Sequence, residues 1–241
     1  MRDALFEHPR LAAIYDALDP DRSDLEVYVA IAQELGARRV LDVGCGTGTF
    51  GVLLANRGLE VTGVDPANAV LDVARAKPGS ERVNWVHGDA TTLPRMQVDL
   101  ATMTGNVAQA IVEPRAWDGA LHGIYDALRP GGHLVFETRD PAYRAWLEWN
   151  RAASYCITEI QGIGAVESWV DVIDVSEPLV TFRGTYVFAD GQVLTSDSTL
   201  RFRERDEVEV ALTAQGYLVT EVREAPDRPG RECVFFALRE H

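Results

Sequence analysis

Gly44, Gly46 and Gly48 alternate with Cys45 and Thr47; Asp42 stands just before them, and Asp65 and Asp89 follow at intervals. Glycines so spaced let the backbone take conformations closed to other residues and let a ligand approach the main chain without meeting side chains. A carboxylate ending a later strand can accept hydrogen bonds from both hydroxyls of a ribose, which suits Asp65. Asp89, at the end of a further strand, can reach the rim of an adenine. The chemistry implied is capture of a nucleoside.

The elements around these residues must bring them to one edge. Val40, Leu41 and Val43 form a short apolar strand entering the glycine loop, and Phe50, Leu53 and Leu54 have helical spacing beyond it, up to Arg57 and Gly58. Strands are predicted at Glu60 to Asp65, Val83 to His87, Val98 to Met103 and His133 to Glu137, with helices at Ala69 to Lys77 and from Pro114 to Leu128, ahead of Pro130-Gly131-Gly132. Before the first strand, residues 11 to 20 read as one short helix, and Ser23 with Glu26 reads as a capping box opening a second that stops at Gly36. Five alternations of strand and helix predict an α/β fold, a doubly wound, mostly parallel seven-stranded sheet with helices on both faces. In such sheets ligands sit beyond the carboxyl ends of the strands, where strand order reverses.

After Arg139 the period changes. A short aromatic helix is expected around Ala142 to Trp149, and then residues alternate with period two on either side of Asp190-Gly191, a hairpin-turn signal. Three or four antiparallel strands are expected within residues 155 to 203. A helix at Asp206 to Gln215 and strands at Tyr217 to Arg223 and Glu232 to Leu238 complete the fold. The organisation expected is one domain over residues 1–241, with N-terminal helices in 1–36 and an inserted antiparallel β cap over the substrate at 150–203.

The 241 residues carry 23 Lys and Arg against 37 Asp and Glu, a net charge of -14, and the basic residues are scattered. That balance argues against a nucleic-acid partner, which calls for clustered cations. No apolar run is long enough to span a bilayer, and the stretch Met1 to Glu7 lacks the apolar core of a signal peptide. A cytoplasmic protein with no membrane partner is expected. Cys45, Cys156 and Cys233 are far apart, suggesting neither a disulfide framework nor a metal site.

The string Leu41-Asp42-Val43-Gly44-Cys45-Gly46-Thr47-Gly48, with Asp65, with Gly88-Asp89-Ala90 and with Leu128-Arg129-Pro130-Gly131-Gly132, resembles the class I S-adenosylmethionine-dependent methyltransferases of small-molecule type. The motifs cover roughly residues 10 to 140. The resemblance implies S-adenosylmethionine as cofactor and methyl transfer to oxygen, nitrogen or carbon of a small-molecule acceptor. It implies that Gly44, Gly46 and Gly48 line the methionine part and that Asp42 lies under its amino group. Asp65 would bind the ribose, Asp89 and the backbone of Ala90 would read the adenine, and the backbone carbonyl of Thr104 would face the amino group. Tyr15 would close over the methionine end, on its position alone.

Competing readings stand beside these. Asp65 and Asp89 are also suited to capping the helices that follow them. His87 and His133 read as structural, and Cys45 has no base predicted beside it. Asn106, Arg139, Asp140 and Tyr143 lie near the expected mouth, with no residue singled out as catalytic, because transfer from a sulfonium needs mainly alignment and exclusion of water. Trp146, Trp149 and Trp169 suit either an acceptor wall or ordinary packing. Met103-Thr104-Gly105-Asn106 departs from the Asn/Asp-Pro-Pro-Tyr/Phe loop of enzymes that methylate exocyclic or amide nitrogens. Two other functions stand beside this one: a nicotinamide-dependent oxidoreductase, which wants glycine where Thr49 stands, and a non-catalytic S-adenosylmethionine-binding or regulatory protein, which the sequence leaves open because methyl transfer has no obligatory side-chain signature.

Overall fold

The computed structural model describes residues 3–240; Met1 and Arg2, part of the N-terminal stretch considered above, and His241 lie outside the described residues. Four helices come first: α1 (Ala4–Glu7), α2 (Pro9–Ala12), α3 (Tyr15–Leu18) and α4 (Asp24–Glu34). The parallel part runs β1 (Arg39–Val43), α5 (Thr49–Asn56), β2 (Glu60–Asp65), α6 (Asn68–Ala76), β3 (Val83–His87), β4 (Val98–Met103), α7 (Val107–Ala110), α8 (Pro114–Ala127) and β5 (Leu128–Arg139). Next come α9 (Arg151–Ser154), β6 (Cys156–Ile160), β7 (Gly164–Ser176), β8 (Leu179–Phe188) and β9 (Val193–Arg201). The chain returns through α10 (Arg205–Ala214), β10 (Tyr217–Glu224) and β11 (Glu232–Arg239).

The main sheet has the order β10-β11-β5-β4-β1-β2-β3, and only β11 runs against its neighbours. Strand order reverses between β1 and β4, so the glycine loop leaving β1 stands at the switch point where α/β sheets bind ligands. Apolar side chains fill both faces. Leu41, Met103, Leu121 and Phe136 pack with α8 and α10 on one side, and Val40, Phe50, Leu100 and Val135 pack with α4 and α5 on the other. The four inserted strands form a separate antiparallel sheet in the order β6-β7-β8-β9. Its β8–β9 turn is the expected hairpin at Asp190-Gly191, closed by the Gly191 N–H donating to the Phe188 carbonyl at 2.9 Å.

Four local expectations are corrected. Residues 11 to 20 do not form one helix: Leu11 and Ile14 bury beneath the four-stranded sheet while Ala12 packs against α6, and burial on two sides breaks the segment into α2 and α3. The capping box at Ser23 is absent, because Ser23 is itself helical (φ -64, ψ -22) and Asp21 accepts its N–H at 3.0 Å. The aromatic helix is two 3-10 turns, Pro141–Tyr143 and Ala145–Glu148, split by Arg144 in the left-handed region (φ 51). Strand β5 begins at Leu128, because an irregularity opposite Val98 and Leu100 admits Pro130-Gly131-Gly132 into the strand. His133 is therefore interior to β5, paired with Leu100 and Leu238.

Candidate functional site

The three loop glycines have distinct physical tasks. All take positive φ: +69 at Gly44, +53 at Gly46 and +77 at Gly48. A Cβ on Gly48 would stand 2.4 Å from the Trp85 ring and 2.8 Å from Ala74, so this glycine lets helix and sheet close together. A Cβ on Gly44 would stand 2.6 Å from Val107, so α7 presses against the loop. Gly46 and Gly105 have no atom within 4 Å of such a Cβ, and both face open space.

Asp65 holds this loop in place. Its Oδ2 accepts the Gly46 N–H at 2.9 Å and its Oδ1 accepts the Ala67 N–H at 2.8 Å, ahead of α6. Asp65 thus closes a turn ahead of α6 and does not cap it, because Ala67 is the N-cap residue and the helix has no side-chain capping bond; the capping reading is corrected. Burial raises the pKa of Asp65, and the two backbone bonds oppose the rise. The Gly88 N–H donates to the Asp65 carbonyl at 3.0 Å, which brings the end of β3 alongside. Asp89 follows, exposed, with Oδ1 accepting from the Thr91 N–H (2.8 Å) and hydroxyl (2.6 Å). That is a local turn. Ala90 is buried, its carbonyl so close to Gly123 of α8 that a Cβ there would lie 1.9 Å away.

Asp42 sits beneath the loop, 1% exposed. The Thr102 hydroxyl donates to its Oδ1 at 3.3 Å, and its Oδ2 is buried with no hydrogen-bond partner among the described residues. Burial, supported by the charge of Asp65 and opposed by Thr102, pushes its pKa up to about 7. A buried carboxylate oxygen left unpaired is costly unless a ligand completes it.

The N-terminal helices reach this edge through a contact that sequence reasoning missed. Asp16, next to Tyr15 in α3, accepts the Thr47 hydroxyl at 2.6 Å, and Lys77, the only lysine in the chain, lies 2.6 Å from its other oxygen. Lys77 also donates to the Thr49 hydroxyl at 2.6 Å. Tyr15 itself packs on Phe6, ring centroids 5.7 Å apart, and its pKa is raised first by burial. Arg22 is close enough to act electrostatically on both Tyr15 and Asp42. Asp16, Arg22, Thr49 and Lys77 line a groove of about 360 Å³. A lone lysine beside a Pro-Gly stop was the available signal.

A buried polar cluster occupies the carboxyl ends of β4 and β5. Glu137 accepts the Asn106 N–H at 2.7 Å and the hydroxyl of Tyr28 from α4. Burial pushes its pKa up to about 7. Glu232, at the start of β11, accepts from Arg228 at 2.8 Å and from the Asn106 side chain at 3.4 Å, with Arg139 at 3.6 Å. Gln109 of α7 accepts from the Arg139 guanidinium at 3.1 Å. Asn106 Oδ1 and Gln109 Nε2 are buried without partners among the described residues. Glu137 in the otherwise apolar run Leu134-Val135-Phe136 was legible as an anomaly; Tyr28, Gln109 and Glu232 carried no signal.

Of the other mouth residues, Asp140 accepts from the Ala142 N–H at 2.8 Å and Tyr143 donates to Glu148 at 2.9 Å, both on the surface. Trp146 packs edge-on against Phe202 at 4.6 Å, and Trp169 lies under Arg151 at 4.2 Å, so both serve packing. Trp149 is half-buried on Phe182, with the Arg139 guanidinium 5.5 Å from its ring. His87 is exposed, with Nε2 3.0 Å from the Pro66 carbonyl. Burial pushes the Cys45 thiol up, away from a nucleophile's range. Among the described residues no group of His, Cys, Asp and Glu is arranged to hold a metal, and no helix is long and apolar enough to cross a membrane.

Residues 40–132 match the model of a methyltransferase domain. The chain is 34% identical over 119 residues to the cypemycin N-terminal methyltransferase of a Streptomyces species, covering 49% of each chain. It is 31% identical over 134 residues to the ubiquinone biosynthesis O-methyltransferase of Alkalilimnicola ehrlichii, covering 53% of each. The chain thus spans about half the length of these curated relatives. The sugar N-methyltransferase KedS8 from Streptoalloteichus shares the fold at a TM-score of 0.77 and 21% identity, over 100% of this chain and 96% of its own. The CcbJ methyltransferase from Streptomyces caelestis does so at 0.76 and 20%, over 96% of both. Residues 40–132 match a methyltransferase domain, and the chain carries them on the same Rossmann-like fold as these solved methyltransferases.

Proposed function

We propose that this protein transfers a methyl group from S-adenosylmethionine to oxygen, nitrogen or carbon of a small-molecule acceptor. The observation that carries the reading is Asp42 Oδ2, a buried, unpaired acceptor among the described residues, beneath a loop whose Gly46 faces open space. These residues fit a phosphate-free nucleoside carrying an amino acid. Asp42 takes the ammonium group and Asp65 the ribose, while Asp89 and the backbone of Ala90 meet the adenine. Gly44, Gly46 and Gly48 let the methionine chain lie against the main chain, with the Thr104 carbonyl as second acceptor for the ammonium. Tyr15 closes the rim, and Arg22 is the cation available to the carboxylate.

When bound, the cofactor supplies a methyl group already activated by a sulfonium. The chain's remaining task is to orient the acceptor and keep water out. The Asn106–Gln109–Arg139–Glu232 cluster, with its two unpaired amide atoms, offers both a donor and an acceptor for that purpose, and Trp149 offers an apolar wall. The four-stranded sheet is read as the cover over this side. A cytoplasmic setting suits the free thiols of Cys45, Cys156 and Cys233, and the net charge of -14 suits a small molecule better than a nucleic acid.

A dinucleotide fits poorly for a specific reason. The start of α5, where a pyrophosphate would lie, already holds the carboxylate of Asp16 on the hydroxyl of Thr47, with Thr49 at 3.4 Å. The test is incubation with S-adenosylmethionine and a metabolite library, read by mass spectrometry for methylated products. A product with stoichiometric S-adenosylhomocysteine supports the reading; cofactor binding without any product across the library supports the non-catalytic alternative.

A further inference from the structure

The turn that follows β4 is held in an unusual way. Gly105 and Asn106 are consecutive left-handed residues, with φ of +73 and +62. For a residue with a Cβ the conformation is strained and persists only where the surroundings hold it. Glu137, 4% exposed, accepts the Asn106 N–H at 2.7 Å. Its second oxygen is held by the Tyr28 hydroxyl. Tyr28 also packs edge-on against Phe50 of α5, ring centroids 6.2 Å apart, so the same side chain touches the helix that the glycine loop opens. Immediately after the turn, Val107 lies against Gly44.

We infer that Glu137 is a positioning residue for the amino-acid end of the cofactor: by holding the Asn106 N–H it fixes the turn that carries the Thr104 carbonyl and the wall that Val107 presents to the glycine loop. The inference rests on the proposed role of Thr104 toward the ammonium group. Glu137 reaches this edge from within β5, and Tyr28 reaches it from the far face of the sheet through α4. The clamp therefore couples the N-terminal helices to the strand-end turn without either element contacting the ligand through Glu137 itself.

The experiment compares two probes by titration calorimetry: S-adenosylhomocysteine, and methylthioadenosine, the same nucleoside thioether lacking the amino acid. Glu137→Met removes both hydrogen-bonding oxygens at similar length. It is expected to weaken S-adenosylhomocysteine roughly tenfold or more while leaving methylthioadenosine within about twofold. Glu137→Gln keeps an oxygen toward the turn and a polar group toward Tyr28, and is expected to restore most of the loss. Equal weakening of both probes, or of neither, overturns the inference, since a merely structural residue has no reason to spare the nucleoside. If Glu137→Met does not fold, Tyr28→Phe, which keeps the ring, is expected to give a smaller loss with the same selectivity, and loss of both probes alike overturns it. Wild-type protein that binds neither probe contradicts the cofactor reading instead. Amide exchange then decides the clamp: slow exchange at Asn106 that accelerates in Tyr28→Phe supports it, and unchanged exchange overturns it.

Discussion

Gly46 and Gly48 stand two residues apart in one loop, yet substitution should separate them. At Gly48 an alanine meets both left-handed strain and collision with Trp85 and Ala74, so Gly48→Ala is expected to destabilise the fold by about 2–4 kcal/mol in urea denaturation. Gly46→Ala meets only the strain, about 1–2 kcal/mol, but puts a methyl into the open side of the loop and should cost cofactor affinity out of proportion to stability. Asp42 gives a pH dependence of definite sign. Its folded carboxyl, with a pKa near 7, binds its proton more tightly than the unfolded one, so the stability it contributes is complete below the ordinary carboxylate range and is lost as pH rises through about 7. Glu137 acts in the same direction, its pKa also about 7. The melting temperature of the ligand-free protein is therefore expected to fall from about pH 4 to about pH 7 and to level off above that, less steeply in Asp42→Asn. An ammonium over Asp42 favours the ionised form, so affinity for S-adenosylhomocysteine should rise over the same interval and lose that rise in Asp42→Asn. At this scale the glycines and Asp65 were legible from spacing alone. The partners of Glu137 and Asp16 were not, because a carboxylate's partner depends on which elements the fold brings to it.

Elements were legible where an apolar run is bounded by turn residues. Strands β3 and β4 occupy the residues predicted, and the Asp190-Gly191 turn joins two strands of the inserted sheet. Boundaries failed where tertiary contacts outweigh local preference. Asp21 displaced the expected cap at Ser23, and Pro130-Gly131-Gly132 entered β5 because β4 offers an irregular register opposite. The N-terminal helices are the clearest case, since three helices of four residues have little stability of their own and are held by what they touch. Asp16 is their tie to the glycine loop. Asp16→Ala is expected to speed hydrogen exchange over residues 4–18 and to raise the dissociation rate of S-adenosylhomocysteine severalfold. Because the pair with Lys77 is part-exposed, global stability should change by no more than about 1 kcal/mol. A dissociation rate unchanged from wild type would show that these helices do not gate the groove.

Across the whole molecule, the N-terminal segment joins the two sheets. Leu11 and Ile14 pack under Val166, Tyr186 and Phe188 of the four-stranded sheet, Ala12 packs on α6, and Arg10 pairs with Asp190 at 2.7 Å. Alternating residues announced three or four strands there but not what their faces meet, because a period of two specifies a pleat and not its neighbour. The central claim is that the switch point of the main sheet holds a phosphate-free nucleoside carrying an amino acid. Titration calorimetry with S-adenosylhomocysteine and NADH, on wild type and Asp65→Ala, tests it most directly. The expected result is binding of S-adenosylhomocysteine alone, weakened by about 1.5–3 kcal/mol in Asp65→Ala as charge-assisted hydrogen bonds are lost. Binding of NADH with none of S-adenosylhomocysteine would contradict it.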